Sequence, residues 1–291
     1  LAQYDKALPI QLRSSLIYER VLGPNHQETA LNLDNLANIY ASLGQLDKAL
    51  LMHQRALAIR EDVLGPNHTV TARSMNNLAV TYIRLGQHNK ALALQIRALS
   101  ILEITMGLDN PDAVQALNNL AQIYVALGYI DKALPLQVRA LAIREKSLGT
   151  NHPDTAESLN NLALNYSALA QFDDALPLLF RALAINEKSL GSEHPSTARS
   201  LNNLALNYEL LAQIDKSLPL KLRALEINEK VMGPEHPDTA YYLTSVALSY
   251  RALAQHEKAL PLQLRAMAIR EKVLGIYHPD TAISLNNLAL T

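Results

Sequence analysis

Between His152 and Leu190, apolar residues recur at Leu159, Leu162, Ala163 and Tyr166, three and four positions apart, with polar residues between them. That spacing gathers the apolar side chains on one face of a helix. Pro153 presets the backbone at a first helical position, and Asp154 puts negative charge in the first turn. The pattern predicts an amphipathic helix of roughly 17 residues ending near Leu169, termed helix A. A second helix, B, is expected from about Asp173, with Leu178, Ala182, Leu183 and Ile185 on its apolar face and Gly191 as its stop. Acidic or amide residues stand where B begins (Asp47, Asn89, Asp131, Asp173, Asp215, Glu257), which predicts capping of free amides or compensation of the helix dipole. Pro135, Pro177, Pro219 and Pro261 are expected within the first turn of B, where a missing N–H costs little. Gly44, Gly86 and Gly128 close the earlier A helices with a left-handed residue, and Ala170, Ala212 and Ala254 take that place later, which predicts strained or altered turns.

The pattern repeats every 42 residues without a slip. Asn76-Asn77-Leu78-Ala79 returns at Asn118-Asn119, Asn160-Asn161, Asn202-Asn203 and Asn286-Asn287, with altered copies at Asp34-Asn35 and Thr244-Ser245. All ten glycines and all thirteen prolines fall on a few positions of this period. A fixed period of this length marks a solenoid, in which each unit buries its apolar face only against its neighbours. The expected organisation is a single array over residues 1–291: a lone helix B at 1–22, repeats at 27–64, 69–106, 111–148, 153–190, 195–232 and 237–274, and a shortened helix A at 279–291. The chain reads as a fragment of a longer protein, and its two raw ends match well enough to expect head-to-tail self-association.

Composition narrows the function. A formal net charge of -1 offers no basic surplus for phosphate, so nucleic acid is not an expected partner. No apolar run approaches the roughly 20 residues needed to span a bilayer, so membrane insertion is not expected either. With no cysteine, disulfides and thiolate chemistry are excluded, and a cytoplasmic location is expected. The glycines all serve as helix stops, leaving none for a phosphate-cradling loop, and no nucleophile motif is present. No enzyme activity, cofactor or metal is expected.

The recurring Leu36-Ala37, Tyr40, Gly44, Ala49 and Ala56, seen again as Leu78-Ala79, Tyr82, Gly86, Ala91 and Ala98, resembles the tetratricopeptide repeat. The longer helix B, through Arg-Ala-Leu-Ala-Ile-Arg-Glu, and the His152-Pro153-Asp154-Thr155-Ala156 turn are similar to the 42-residue form of kinesin light chains and nephrocystin-like proteins. The resemblance implies an all-α, right-handed superhelical solenoid of about seven helix-turn-helix repeats. It also implies a concave groove lined by A helices that binds a protein or peptide partner, in kinesin light chains an acidic segment carrying an aromatic residue.

Positions that differ between copies yet share a helix face are the places for specificity. On helix A these are Leu31, Arg73, Gln115, Glu157, Arg199, Tyr241 and Ile283; Asn38, Val80, Gln122, Leu164, Leu206 and Leu248; and Ala41, Ile83, Val125, Ser167, Glu209 and Arg251. Beside them runs the Asn ladder, whose carboxamides offer donors and an acceptor to a peptide backbone. Asn76, Asn118, Asn160 and Asn202 are expected to touch the ligand, and Asn35, Asn77, Asn119, Asn161 and Asn203 either to touch it or to hold the next repeat. Arg73, Arg84, Arg199 and Arg251 favour an acidic ligand, and Tyr241 is its expected aromatic anchor. His26, His68, His152, His194, His236 and His278 recur one per repeat, which predicts a turn or cap hydrogen bond rather than a metal site. The tyrosines from Tyr40 to Tyr250 read as wedges between helices, and the arginines from Arg13 to Arg265 in helix B as an inter-repeat ladder.

Overall fold

The computed structural model describes residues 2–276 and 278–289. Among them are fourteen α-helices and no strand. Contacts divide the chain into two compact units, residues 1–143 and 144–291. The first contains α1 (Ala2–Leu22), α2 (Gln27–Ser42), α3 (Leu46–Leu64), α4 (Thr69–Arg84), α5 (His88–Met106), α6 (Ala113–Ala126) and the greater part of α7 (Ile130–Leu148). The second continues with α8 (Pro153–Ala168), α9 (Phe172–Leu190), α10 (Pro195–Leu210), α11 (Ile214–Met232), α12 (Pro237–Ala252), α13 (His256–Leu274) and α14 (Pro279–Ala289). Even-numbered helices are A helices and odd-numbered ones B helices, and each helix packs on the next from α1 to α6 and from α8 to α14.

Each core follows from the periodic apolar face. In the first unit Met75, Leu117 and Ile123 are fully buried among Leu78, Leu99 and Leu102. In the second, Leu201, Leu243 and Val246 pack with Ile227 and Ile269. Alanines at a fixed position of the A helices, Ala30, Ala72, Ala156, Ala198 and Ala240, have no exposed surface, so helices approach closely there.

The A-to-B turns keep one geometry whichever residue closes them. The amide of Gln45 donates to the Tyr40 carbonyl at 2.9 Å beside Gly44, whose φ is 74°. Gln213 donates to Tyr208 at 2.8 Å beside Ala212, whose φ is 58°. Ala170 and Ala254 share that left-handed backbone, at 58° and 56°. The strain expected of these alanines is therefore present, and the cap is not rebuilt around it.

Two expectations about helix B differ from the structure. Its N-cap is a glutamine such as Gln171, which makes no side-chain cap bond, and Asp173 follows as the second helical residue, acting on the helix dipole alone. Pro135, Pro177, Pro219 and Pro261 are the sixth residue of their helices, beyond the first turn. Each leaves a carbonyl without its intrahelical donor, Asp173 in α9, and the exposure of Pro177 hands that carbonyl to water.

The histidines do cap helix A. Nδ1 of His26, His68, His152, His194 and His236 accepts from the amide two residues on. His278 does the same to Asp280 at 3.1 Å. A threonine in the following turn secures the loop: the hydroxyls of Thr71, Thr197 and Thr239 donate to the carbonyls of Gly65, Gly191 and Gly233 at 2.7 to 2.9 Å.

Candidate functional site

The A helices leave one stripe open within each unit. In the first it runs through Leu31, Asn35 and Asn38 of α2, Arg73, Val80 and Arg84 of α4, and Gln115 and Gln122 of α6, all exposed. Arg73 Nη2 lies 2.9 Å from Asp112 Oδ2 in an exposed pair, so part of its charge is already answered. In the second unit the stripe contains Leu164 of α8, Arg199 and Leu210 of α10, Tyr241 of α12 and Ile283 of α14. Glu157 is held there by Arg144 at 2.8 Å.

The asparagines lie deeper than a ligand rail requires. Asn160 and Asn202 are buried, at 3% and 2% exposure. Asn160 Nδ2 donates to the Ala156 carbonyl and to Ser200 Oγ, and its Oδ1 accepts from Asn203 of the next repeat at 3.3 Å. Asn76 Oδ1 accepts from Gln95 Nε2 at 3.0 Å and from Asn119 Nδ2 at 2.8 Å. Asn202 donates to the Tyr241 hydroxyl at 3.1 Å and accepts from Ser245 Oγ at 3.0 Å. Within each unit the second residue of a pair thus donates to the first residue of the pair before it. The ladder ties repeat to repeat, and at Asn160 and Asn202 burial takes the first member away from the ligand contact expected of it, while Asn76 and Asn118 keep partial exposure. Asn77, Asn161 and Asn203 keep partial exposure, while Asn119 is buried and Asn118 is partly exposed with a shielded Oδ1.

One cleft interrupts the stripe of the second unit. Pro195, Ser196, Arg199 and Asn203 from α10 and Asp238 and Tyr241 from α12 line a volume of about 420 Å³. Tyr241 is 49% exposed and stands edge-on to Tyr242, ring centroids 5.3 Å apart. Burial pushes the Tyr242 phenol up to about 12, so it stays neutral and supports Tyr241 as an apolar wall. Arg199 is exposed at the mouth. The pocket therefore offers a cation, a half-open aromatic ring and the polar edge of Asn203, with Asp238 opposing part of the charge.

Two buried polar groups escaped the sequence reading. Lys221 of α11 is 1% exposed, and its Nζ donates to Glu209 Oε1 at 2.7 Å and to the Ser245 carbonyl at 3.1 Å. Burial lowers its ammonium from the ordinary lysine value, against the opposing effect of the hydrogen bond it donates to Glu209. In the first unit Asp34 joins His53 Nδ1, 3.0 Å away, to the guanidinium of Arg60, all three buried. The signal in both cases was a departure from the chain's own repeat: position 53 and position 221 align with Gln95, Gln137 and Gln263. Arg251 partly buries its guanidinium with one Nη1 lacking a hydrogen-bond partner among the described residues.

The opposite, B-helix side carries the arginine ladder. Arg97 reaches Glu61 at 2.9 Å, Arg139 reaches Glu103 at 2.5 Å, Arg181 reaches Glu145 at 2.6 Å and Arg223 reaches Glu187 at 2.8 Å, each bridging two B helices. Lys48, Lys90, Lys132, Lys216 and Lys258 lie over the rings of the repeated tyrosines at 5.3 to 5.7 Å from the centroid. Both sets fasten the scaffold. No described helix is long and apolar enough to cross a membrane.

Known proteins share this arrangement. The Tetratricopeptide repeat family matches residues 1–62, 35–104, 112–188, 169–230, 208–272 and 243–291. The crystal structure of kinesin-light-chain-like, nearly identical TPR-like repeats from Podosopora anserina is 31% identical, with a TM-score of 0.58, and covers 70% of this chain and 97% of that one. BtubC (BKLC) from P. vanneervenii is 24% identical with a TM-score of 0.60, covering 81% and 92%, and the apo form of RapI is 19% identical with a TM-score of 0.69, covering 90% and 91%. These two share the fold. No curated protein matches the chain. Repeat after repeat, the sequence matches and the helix pairs agree, and the chain belongs to the tetratricopeptide repeat family as an all-α solenoid.

Proposed function

We propose that the chain is a protein-interaction scaffold that holds an extended acidic segment of a partner protein against its A helices, anchored in the second unit by Arg199 and Tyr241. The observation that carries this reading is the cleft between α10 and α12, where an exposed guanidinium and a half-exposed phenol ring stand over one cavity. A carboxylate of the segment pairs with Arg199, and an adjacent aromatic residue packs on Tyr241. Leu164, Leu210 and Ile283 extend the apolar part of the surface on either side. The buried asparagines act behind it by fixing how neighbouring A helices pack, and Asn203 is the carboxamide left to meet a peptide backbone. Lys221 is enclosed and already bonded to Glu209, so it serves the scaffold rather than chemistry.

The test is fluorescence anisotropy with a labelled acidic peptide containing one tryptophan, and with a control in which lysines replace its carboxylates. Saturable binding of the acidic peptide is expected, weakened at least about tenfold by Arg199→Glu and again by Tyr241→Ala. Equal binding of both peptides, or binding unchanged in the Arg199→Glu variant, would rule the reading out.

A further inference from the structure

One position of the B helices carries arginine three times, at Arg60, Arg144 and Arg270. The first two meet a carboxylate. Arg60 donates to Asp34 in helix A of its own repeat, and Arg144 Nη1 donates to Glu157 of the following helix A at 2.8 Å. For Arg270 the two corresponding positions are Thr244 and Ile283, so both sources of an acid are replaced. Its Nη1 donates to the neutral hydroxyl of Ser284, and it makes no ion pair among the described residues.

Arg270 is nonetheless only 8% exposed. Burial lowers its guanidinium from the ordinary arginine value, and the charge of Asp280 opposes that without an ion pair. A buried cation facing a hydroxyl and an alkyl side chain is costly, and a carboxylate relieves that cost. Thr244 does not relieve it, because its hydroxyl is donated to the Ala240 carbonyl at 2.8 Å.

Glu157 shows how an acid reaches this position. It stands on the open stripe of the A helices with its side chain 40% exposed, and it still meets the guanidinium of Arg144, whose side chain is 12% exposed. A carboxylate lying on the stripe therefore reaches an arginine enclosed at this point of the repeat. At the equivalent place Ile283 is 54% exposed and uncharged, which leaves the stripe beside Arg270 without the acid that the earlier repeat supplies from within.

We propose that Arg270 is a second carboxylate-binding residue of the A-helix surface, taking an acidic side chain of the partner segment over Ile283 and Thr244. This role rests on the proposed binding of an acidic segment at Arg199 and Tyr241, and it adds what that segment contains. Arg199, Tyr241 and Ile283 hold one repeat position on three successive A helices, α10, α12 and α14. With packed helices about 10 Å apart, the two cationic places are about 20 Å apart, a span of about six extended residues. The preferred segment carries two carboxylates at that separation, with an aromatic residue between them for Tyr241.

Fluorescence anisotropy on the whole chain compares a labelled peptide holding both carboxylates with one in which the glutamate meant for Arg270 is glutamine. The first is expected to bind at least about tenfold more tightly. Arg270→Asn introduces a residue the repeat already uses here, since Asn186 occupies this position and donates to Ser200 at 2.9 Å. It should erase the difference by weakening only the peptide with two carboxylates. Thr244→Asp, which puts an acid where Asp34 stands in the first unit, should erase it as well and leave the single-carboxylate peptide bound. Equal affinity of the two peptides for the wild-type chain, or an equal loss of both in Arg270→Asn, would overturn the role of Arg270 while Arg199-dependent binding stands. Failure of both peptides to bind, or binding of both that ignores Arg199→Glu, would overturn binding at the A-helix surface and the role of Arg270 with it.

Discussion

Ala170, Ala212 and Ala254 hold a backbone conformation that glycine holds at Gly44, Gly86 and Gly128, with the same cap hydrogen bonds. A Cβ added at Gly86 would meet nothing within 4 Å, so the difference between the two kinds of turn is conformational rather than steric contact. Ala212→Gly is therefore expected to stabilise the protein by up to about 1 kcal/mol, reduced by the greater freedom of glycine in the unfolded chain, and Gly86→Ala to destabilise it by a similar amount. Urea unfolding of the two variants would check both signs. Lys221 gives a pH signature. Its folded value lies below 10.5, so as pH rises toward 10.5 the native state releases this proton before the unfolded chain does, and stability gains over that interval. Lys221→Gln, the residue at the same place in α5, α7 and α13, should lose that gain. The stability difference between wild type and variant, followed by thermal melts across the interval, is expected to grow in favour of lysine as pH rises. Residues at this scale were only half legible: Asn160 and Asn161 are neighbours about 100° apart on a helix, and only the position of the next repeat decides which of them turns inward.

Helix ends were the most legible elements, because glycine at a left-handed position and an acceptor before an amide are local requirements. The helix A cap shows this. His194 Nδ1 accepts from the Ser196 amide at 3.1 Å, a role that depends on one atom. His194→Ala should cost about 1 kcal/mol, while His194→Asp, which restores an acceptor, should cost much less. A urea midpoint lowered equally by both substitutions would show that the ring matters for packing instead. The start of helix B was read less well. Carboxylates such as Asp173 suggested a side-chain cap, yet the chain reaches α9 through Gln171 after a left-handed residue, and that sharp turn leaves no room in sequence for a separate capping residue. The arginine ladder was legible as a ladder. Its glutamate partners, thirty-six residues earlier as in Arg97 and Glu61, became visible only once B helices lay side by side. With these side chains about 40% exposed, each pair contributes less than about 1 kcal/mol and is screened by salt.

For the whole molecule, one repeated pattern made the fold class readable, since each copy states the same apolar face and the same stops. Function was less readable for the same reason. Specificity resides where copies disagree, and each disagreement, such as Tyr241 against Arg199 or Thr244 against Asn202, occurs once. Periodicity cannot say which of these is exposed, and Glu209, read as part of the open surface, is instead tied to a buried lysine. The small net charge of the chain fits a molecule that selects its partner locally, as at Arg199, rather than by its overall field.

The histidine caps have one more consequence. A neutral imidazole that accepts at Nδ1 must carry its hydrogen on Nε2, so the rings of His26, His68, His152, His194 and His236 are all held in a single tautomer. A repeat that came loose would free its ring to exchange that hydrogen between the two nitrogens. The array thus carries, in almost every repeat, a nitrogen resonance that reports whether that particular helix is still anchored.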